Sequence, residues 1–195
     1  SASIVGTVAF VPQEPVIMNA TLRENILFGN TYDAKRYGEV LRSCALMQDL
    51  RSLPGGDLCE IGTKGVNLSG GQKARVGLAR AVYADADVYL IDDALSAVDA
   101  HVGSHIYRNV YRGVLKSKLR IVVMHQLQYA RNADMVVVMD KDGIVRLWAH
   151  EACRGLLGVV VFRGPSGRTH STRCAPLDSE HSSASPVAPL NSLRL

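Results

Sequence analysis

Through residues 1–145 the chain alternates short apolar runs with longer stretches whose apolar residues fall at helical intervals, the pattern of a sheet with helices between its strands. Residues 7–11 read as a strand stopped by Pro12-Gln13-Glu14-Pro15, because proline supplies no amide to a ladder and restrains its neighbour. Residues 19–29 predict a short helix: Thr21 and Glu24 have capping-box spacing, and Gly29 supplies a stop. Residues 33–50 carry Tyr37, Val40, Leu41 and Ala45 at mostly helical intervals and predict one amphipathic helix, which Pro54-Gly55-Gly56 ends. A further helix is expected over 72–84, burying Val76, Ala79, Val82 and Tyr83 and turning Arg75 and Arg80 to solvent. Residues 87–91 form an apolar, β-prone run that ends on Asp92 and Asp93 and reads as a buried parallel strand. A helix over 101–111, strands over 119–124 and 134–139, and a turn at Asp140-Lys141-Asp142-Gly143 complete the pattern.

Two of these junctions carry chemistry. Leu68-Ser69-Gly70-Gly71-Gln72 is a turn leading into a helix; without Cβ atoms Gly70 and Gly71 let a ligand approach the backbone, and amides at a helix N-terminus attract anions. Phosphate is the natural guest, although Ser-Gly-Gly also makes an ordinary helix start. Asp92 and Asp93 stand beyond a strand's C-terminal end, where open α/β sheets bind ligands and where a metal ion could meet them. Paired carboxylates can equally be a strand terminus, and a lone histidine after an apolar run, as at His125, is more often structural than catalytic. Ser69, Asp99 and His125 do not make a hydrolase triad, for no G-x-S-x-G elbow exists. Nor does residues 56–64 make a phosphate loop: G-x-x-x-x-G-K-[ST] is absent from the whole sequence.

Taken together, Leu68-Ser69-Gly70-Gly71-Gln72, the run Asp87-Val88-Tyr89-Leu90-Ile91-Asp92-Asp93 and Ser96-Ala97-Val98-Asp99-Ala100-His101 resemble the ATP-binding-cassette ATPases. The likeness is strongest to the first nucleotide-binding domain of C-type, multidrug-resistance-associated exporters and extends over residues 4–145. It implies an α/β fold, part of a P-loop NTPase (RecA-like) parallel-sheet core with an inserted α-helical signature subdomain at about 15–84, and ATP with Mg2+ as cofactors. By the same resemblance Gln13 is the Q-loop glutamine that reaches the magnesium and the attacking water, and Asp92 is the Walker B carboxylate that holds the metal. Asp93 stands where most active cassettes place a glutamate; one methylene shorter, it implies slow hydrolysis. His125 matches the switch histidine and Asp99 the D-loop aspartate. Ser69, Gly70, Gly71 and Gln72 match the signature that contacts the γ-phosphate of a nucleotide on the opposite cassette. The segment Leu22-Arg23-Glu24-Asn25-Ile26-Leu27-Phe28-Gly29 matches the region beside the family's contact with its transmembrane domains.

Composition narrows the picture. At 195 residues there is room for one domain with a substantial core, but not for a complete exporter. The +4 charge is interspersed, without a basic block, so nucleic-acid binding is not supported. The longest apolar run, residues 155–162, is far below the roughly 20 residues of a membrane span. Four cysteines without a C-x-x-C pair, and no leader segment, fit reduced thiols in a cytosolic setting. After Val145 the resemblance stops, and residues 146–195 are expected to be a divergent, disordered tail.

The reading is therefore a piece of a cassette ATPase that powers export of organic anions, thiol conjugates or drugs from the cytosolic face of a membrane. Its partners would be a second cassette in a head-to-tail pair and transmembrane domains. The alternatives are a truncated, non-hydrolysing remnant or regulator and, against the 22–29 match, a non-transport cassette protein. Lacking a Walker A loop, the chain alone is expected to be inactive and to leave an unpaired sheet edge.

Overall fold

The computed structural model describes residues 6–126, 128–129, 133, 135–139, 145–149 and 158–163. Strand β1 (Val8–Val11) alternates in burial, with Ala9 and Val11 inside and Val8 and Phe10 outside. A two-residue strand β2 (Ala20–Thr21) leads into helix α1 (Leu22–Leu27), where Thr21 and Glu24 form the expected reciprocal capping box. The chain leaves α1 through Phe28, in the left-handed region at φ 45°.

The single helix expected over 33–50 is two: α2 (Ala34–Ser43) and α3 (Met47–Ser52). Between them Ala45 is left-handed at φ 55°, the Leu46 amide donates to Leu41 O at 2.9 Å, and the Ala45 amide donates to Arg42 O at 3.1 Å. This is a Schellman stop with alanine where glycine is usual, and so it carries no sequence mark. A short antiparallel pairing follows, β3 (Glu60–Ile61) against β2.

Helix α4 (Gly70–Ala84) buries Val76, Ala79, Val82 and Tyr83 as its periodicity predicts. Its arginines do not serve a solvated side. Arg75 is 14% exposed and paired to Asp49, and the half-buried Arg80 donates to Asn25 O and lies 4.6 Å from the Phe28 ring. The burial of these long side chains comes from α1 and α3, which local periodicity cannot place.

Strand β4 (Val88–Asp92), helix α5 (Ala100–Ile106), a π-helical continuation (Tyr107–Val114) and strand β5 (Leu119–Met124) follow. The wider pitch is visible in the Leu115 amide, which donates to Val110 O at 2.9 Å. Tyr107 stacks on Tyr129 with ring centroids 4.3 Å apart.

Three further strands, β6 (Met135–Met139), β7 (Val145–Ala149) and β8 (Gly158–Arg163), complete a six-stranded sheet of order β1-β4-β5-β8-β6-β7. All neighbours are parallel except the β6–β7 pair. β8 lies between β5 and β6, and among the described residues β1 and β7 are the edges of the sheet. The apolar run of residues 158–162 is thus sheet. These residues and most of β7 lie within the 146–195 stretch read as a disordered tail, and the rest of that stretch lies outside the described residues.

Beneath the sheet, Val11, Tyr89, Ile91, Val122 and Met124 join Val76, Ala79, Ile106 and Val110 in one core. Each fully buried aliphatic side chain contributes roughly 1.5–3 kcal/mol. Because β1, β4 and β5 run parallel, their C-terminal ends share one border of the sheet, and Gln13, Asp92, Asp93 and His125 fall there.

Candidate functional site

Asp93 is the centre of that border. It is 4% exposed and left-handed at φ 48°, a conformation that aspartate tolerates better than most residues. The surroundings hold it there: its amide donates to Val123 O at 2.9 Å, extending the β4–β5 ladder by one residue, and its carbonyl accepts from the Ser96 amide at 3.1 Å and hydroxyl at 2.8 Å. The carboxylate is thereby fixed at the start of the turn after β4.

Two side chains approach its Oδ2. Gln13 Nε2, from the loop after β1, lies 3.5 Å away, and His125 Nε2, next after β5, lies 3.7 Å away. Three successive strand ends thus deliver Gln13, Asp93 and His125 to one oxygen. His125 is 55% exposed, so the cluster opens toward solvent on its side while Asp93 is enclosed. Such distances are loose for hydrogen bonds, as catalytic contacts often are before a ligand closes them. A buried carboxylate with an amide and an imidazole in reach can orient or accept a proton from water beside it.

Gln13 turns its amide nitrogen to Asp93, leaving Oε1 as a hard oxygen donor, and Asp92 ends β4 beside it in sequence, half-buried. Among the described residues no trio of His, Cys, Asp or Glu is arranged to hold a metal. Mg2+ does not require one, since it binds through one or two carboxylates, its own waters and substrate phosphates. The Asp92 carboxylate and the Gln13 carbonyl oxygen are oxygen donors of the kind that magnesium takes.

The loop that carries Gln13 rests on α4. A Cβ on Gly77 would stand 2.4 Å from Pro15 Cβ, so only glycine admits the loop at that height. The turn before α4 is similarly seated: a Cβ on Gly71 would stand 2.7 Å from Ala97 O. Ser69 and Gln72 close a capping box, with Ser69 Oγ accepting from the Gln72 amide at 3.2 Å and Gln72 Oε1 accepting from the Ser69 amide at 2.8 Å. Among the described residues the amides of Gly70 and Gly71 make no hydrogen bond. They are the donors left for an anion at this helix start. The turn thus sits against Ala97, on the segment after Asp93.

Asp99 caps α5, its Oδ1 accepting from the amides of Val102 at 3.0 Å and His101 at 3.1 Å. The Val102 amide, foremost, holds this exposed carboxylate below its usual range. The sequence-predicted residues thus form two groups, Gln13, Asp92, Asp93 and His125 at the sheet border and Ser69, Gly70, Gly71 and Gln72 at the α4 start, with Asp99 on the stretch between Ala97 and α5. The residues that sequence reasoning missed are Asp49, Arg75 and Asn25. Asn25 is fully buried, takes the Met18 amide and Arg80 on Oδ1, and donates to Met18 O and Thr21 O. Nothing in the local pattern marks an asparagine as a hub.

A cavity of about 110 Å³ lies between Pro15, Ile17, Thr63 and Lys73 beside the α4 turn. Small-molecule pockets run to roughly 300–1,000 Å³, so this one does not take a nucleotide.

A parallel sheet whose strand ends present a glutamine, paired aspartates and a histidine, with a Ser-Gly-Gly-capped helix beside it, defines a nucleotide-binding cassette. The chain belongs to the ABC transporter family: residues 2–96 match the family model described as ABC transporter. Within the family it matches C-type cassettes. It is 47% identical over 171 residues to mouse ATP-binding cassette sub-family C member 2, covering 87% of this chain and 11% of the relative. To the human protein of that name it is 52% identical over 152 residues, 77% of this chain and 10% of the relative. To multidrug resistance protein mrp-7 of Caenorhabditis elegans it is 60% identical over 136 residues, 69% of this chain and 9% of the relative. The chain thus spans about a tenth of the length of these relatives. Among the described residues no helix is long and apolar enough to cross a membrane.

Proposed function

We propose that this chain is the signature-bearing part of a cassette that uses ATP to drive export, acting as one half of a head-to-tail pair. The observation that carries this reading is the convergence of Gln13 and His125 on Asp93 Oδ2 at one end of the parallel sheet. In the pair, Asp92 and Gln13 would hold Mg2+, which supplies charge neutralisation at the phosphates. Asp93 and His125 would orient water and phosphate on this cassette's own nucleotide. The amides of Gly70 and Gly71, with Ser69 and Gln72, would close on the phosphate of a nucleotide bound by the second cassette, and Asp99 would face that partner. The parent would stand at the cytosolic face of a membrane through its transmembrane domains. The name of the worm relative, a multidrug resistance protein, supports drugs as cargo; organic anions and thiol conjugates are what the sequence resemblance implies.

The lack of G-x-x-x-x-G-K-[ST] favours a second reading for the chain by itself, a non-hydrolysing remnant or regulator that docks on a complete cassette. A non-transport cassette is opposed by the 22–29 segment. Replacing the matching segment of a sub-family C exporter with residues 7–126 tests the first reading. ATP-dependent vesicle uptake should survive and be lost on Asp92→Asn; a chimera that folds and binds ATP yet transports nothing contradicts it.

A further inference from the structure

The Gln72 side chain does more than close the capping box. Its Nε2 donates to Asp49 Oδ1 at 2.9 Å, and Asp49 is simultaneously clasped by Arg75, Nη1 to Oδ2 at 2.5 Å and Nη2 to Oδ1 at 3.2 Å. Arg75 in turn donates from Nε to Gly71 O at 3.2 Å and from Nη1 to Ala45 O at 2.6 Å. The Asp49 and Arg75 side chains are 13% and 14% exposed, so the pair works where water competes little. The result is a closed circuit. Asp49 fixes the Gln72 amide group, Gln72 fixes the Ser69 amide, and Arg75 fixes the Gly71 carbonyl, so both ends of the Ser69-Gly70-Gly71 turn are tied to one carboxylate on α3.

We infer that Asp49 is a positioning residue for the α4 turn: it holds Gln72 and, through Arg75, Gly71, so that the Gly70 and Gly71 amides keep the orientation in which they meet phosphate. Asp49 touches no ligand itself. The same circuit reaches Ala45, whose left-handed backbone ends α2, so the α2–α3 corner and the turn are set by one ion pair. The inference rests on the reading of the turn as the phosphate contact toward a second cassette, and its test separates the two.

The experiment uses the full chain. Hydrogen exchange is measured at the Ser69 amide in the protein alone, and Mg-ATP-dependent association is measured with a complete, Walker A-bearing cassette of a sub-family C exporter. Asp49→Asn should raise Ser69 exchange at least tenfold relative to the α4 interior and weaken association at least tenfold, while Asp49→Glu restores part of both. In a Gln72→Ala background the Asp49→Asn change should add little to Ser69 exchange, because its effect on that amide runs through Gln72. Should Asp49→Asn unfold the chain, the paired Asp49→Leu, Arg75→Met variant removes both buried charges together, and should fold while showing the same two losses. Unchanged Ser69 exchange in these variants, or full additivity with Gln72→Ala in that exchange, overturns the inference. Absence of ATP-dependent association by the unaltered chain overturns the phosphate reading instead, and Ser69 exchange then still decides the role of Asp49.

Discussion

Asp87 stands just before β4, and its Oδ2 accepts both the amide and the hydroxyl of Thr7 at 2.8 and 2.9 Å, tying the entry of β1 to that of β4. The Thr7 amide, then its hydroxyl, holds the carboxylate below its ordinary range. A depressed folded pKa gives stability that is full above the ordinary carboxylate value and is lost as pH falls through the lower, folded one. Melting temperature should therefore drop on acidification below about pH 4, and Asp87→Asn should flatten part of that limb. An unchanged acid limb in the variant would contradict the assignment. Close approach is as decisive as charge at this scale. Gly77→Val would drive side-chain atoms into Pro15, and overpacking of this kind costs about 1–3 kcal/mol. Urea unfolding should show that loss; a neutral result would mean the loop carrying Gln13 does not rest on α4.

Among the elements, α1 and α4 follow their sequence signals closely because their start signals are local: Thr21 with Glu24, and Ser69 with Gln72, each close a capping box. The α2–α3 break had no such mark, since Ala45 adopts the left-handed conformation that glycine usually supplies. Glycine at that position should relieve the strain, and Ala45→Gly is expected to stabilise the chain by about 0.5–1 kcal/mol in denaturant unfolding. Destabilisation would show that the alanine methyl contributes packing that outweighs the backbone. The gathering of the candidate residues at one border was legible for the complementary reason, while their roles came from the family resemblance alone. Gln13, Asp92, Asp93 and His125 each directly follow or end an apolar run, and parallel strands bring such positions to one border. Asp49 and Arg75 were not legible, because a charged residue on a helix reads as solvated until the helix that covers it is known.

For the whole molecule, the strands at 8–11, 88–92, 119–124 and 135–139 were evident in the sequence, whereas β2, β3, β7, β8 and the strand order were not. Residues 158–163 are apolar enough to read as buried, yet nothing local says that β8 enters between β5 and β6 rather than extending an edge. That pairing is a long-range choice, set by the parallel ladders on both sides. Membership in the ABC transporter family, by contrast, follows from spaced motifs that survive in sequence alone. Those motifs include both carboxylates and the α4 turn. The most direct measurement is sedimentation of the full chain with a complete C-type cassette, with and without Mg-ATP, alongside ATP turnover by the chain alone. The account predicts an ATP-dependent complex, lost on Gly71→Asp, and negligible turnover without the partner. Steady turnover by the chain alone, abolished by Asp92→Asn, or a complex indifferent to both ATP and Gly71→Asp, would contradict it.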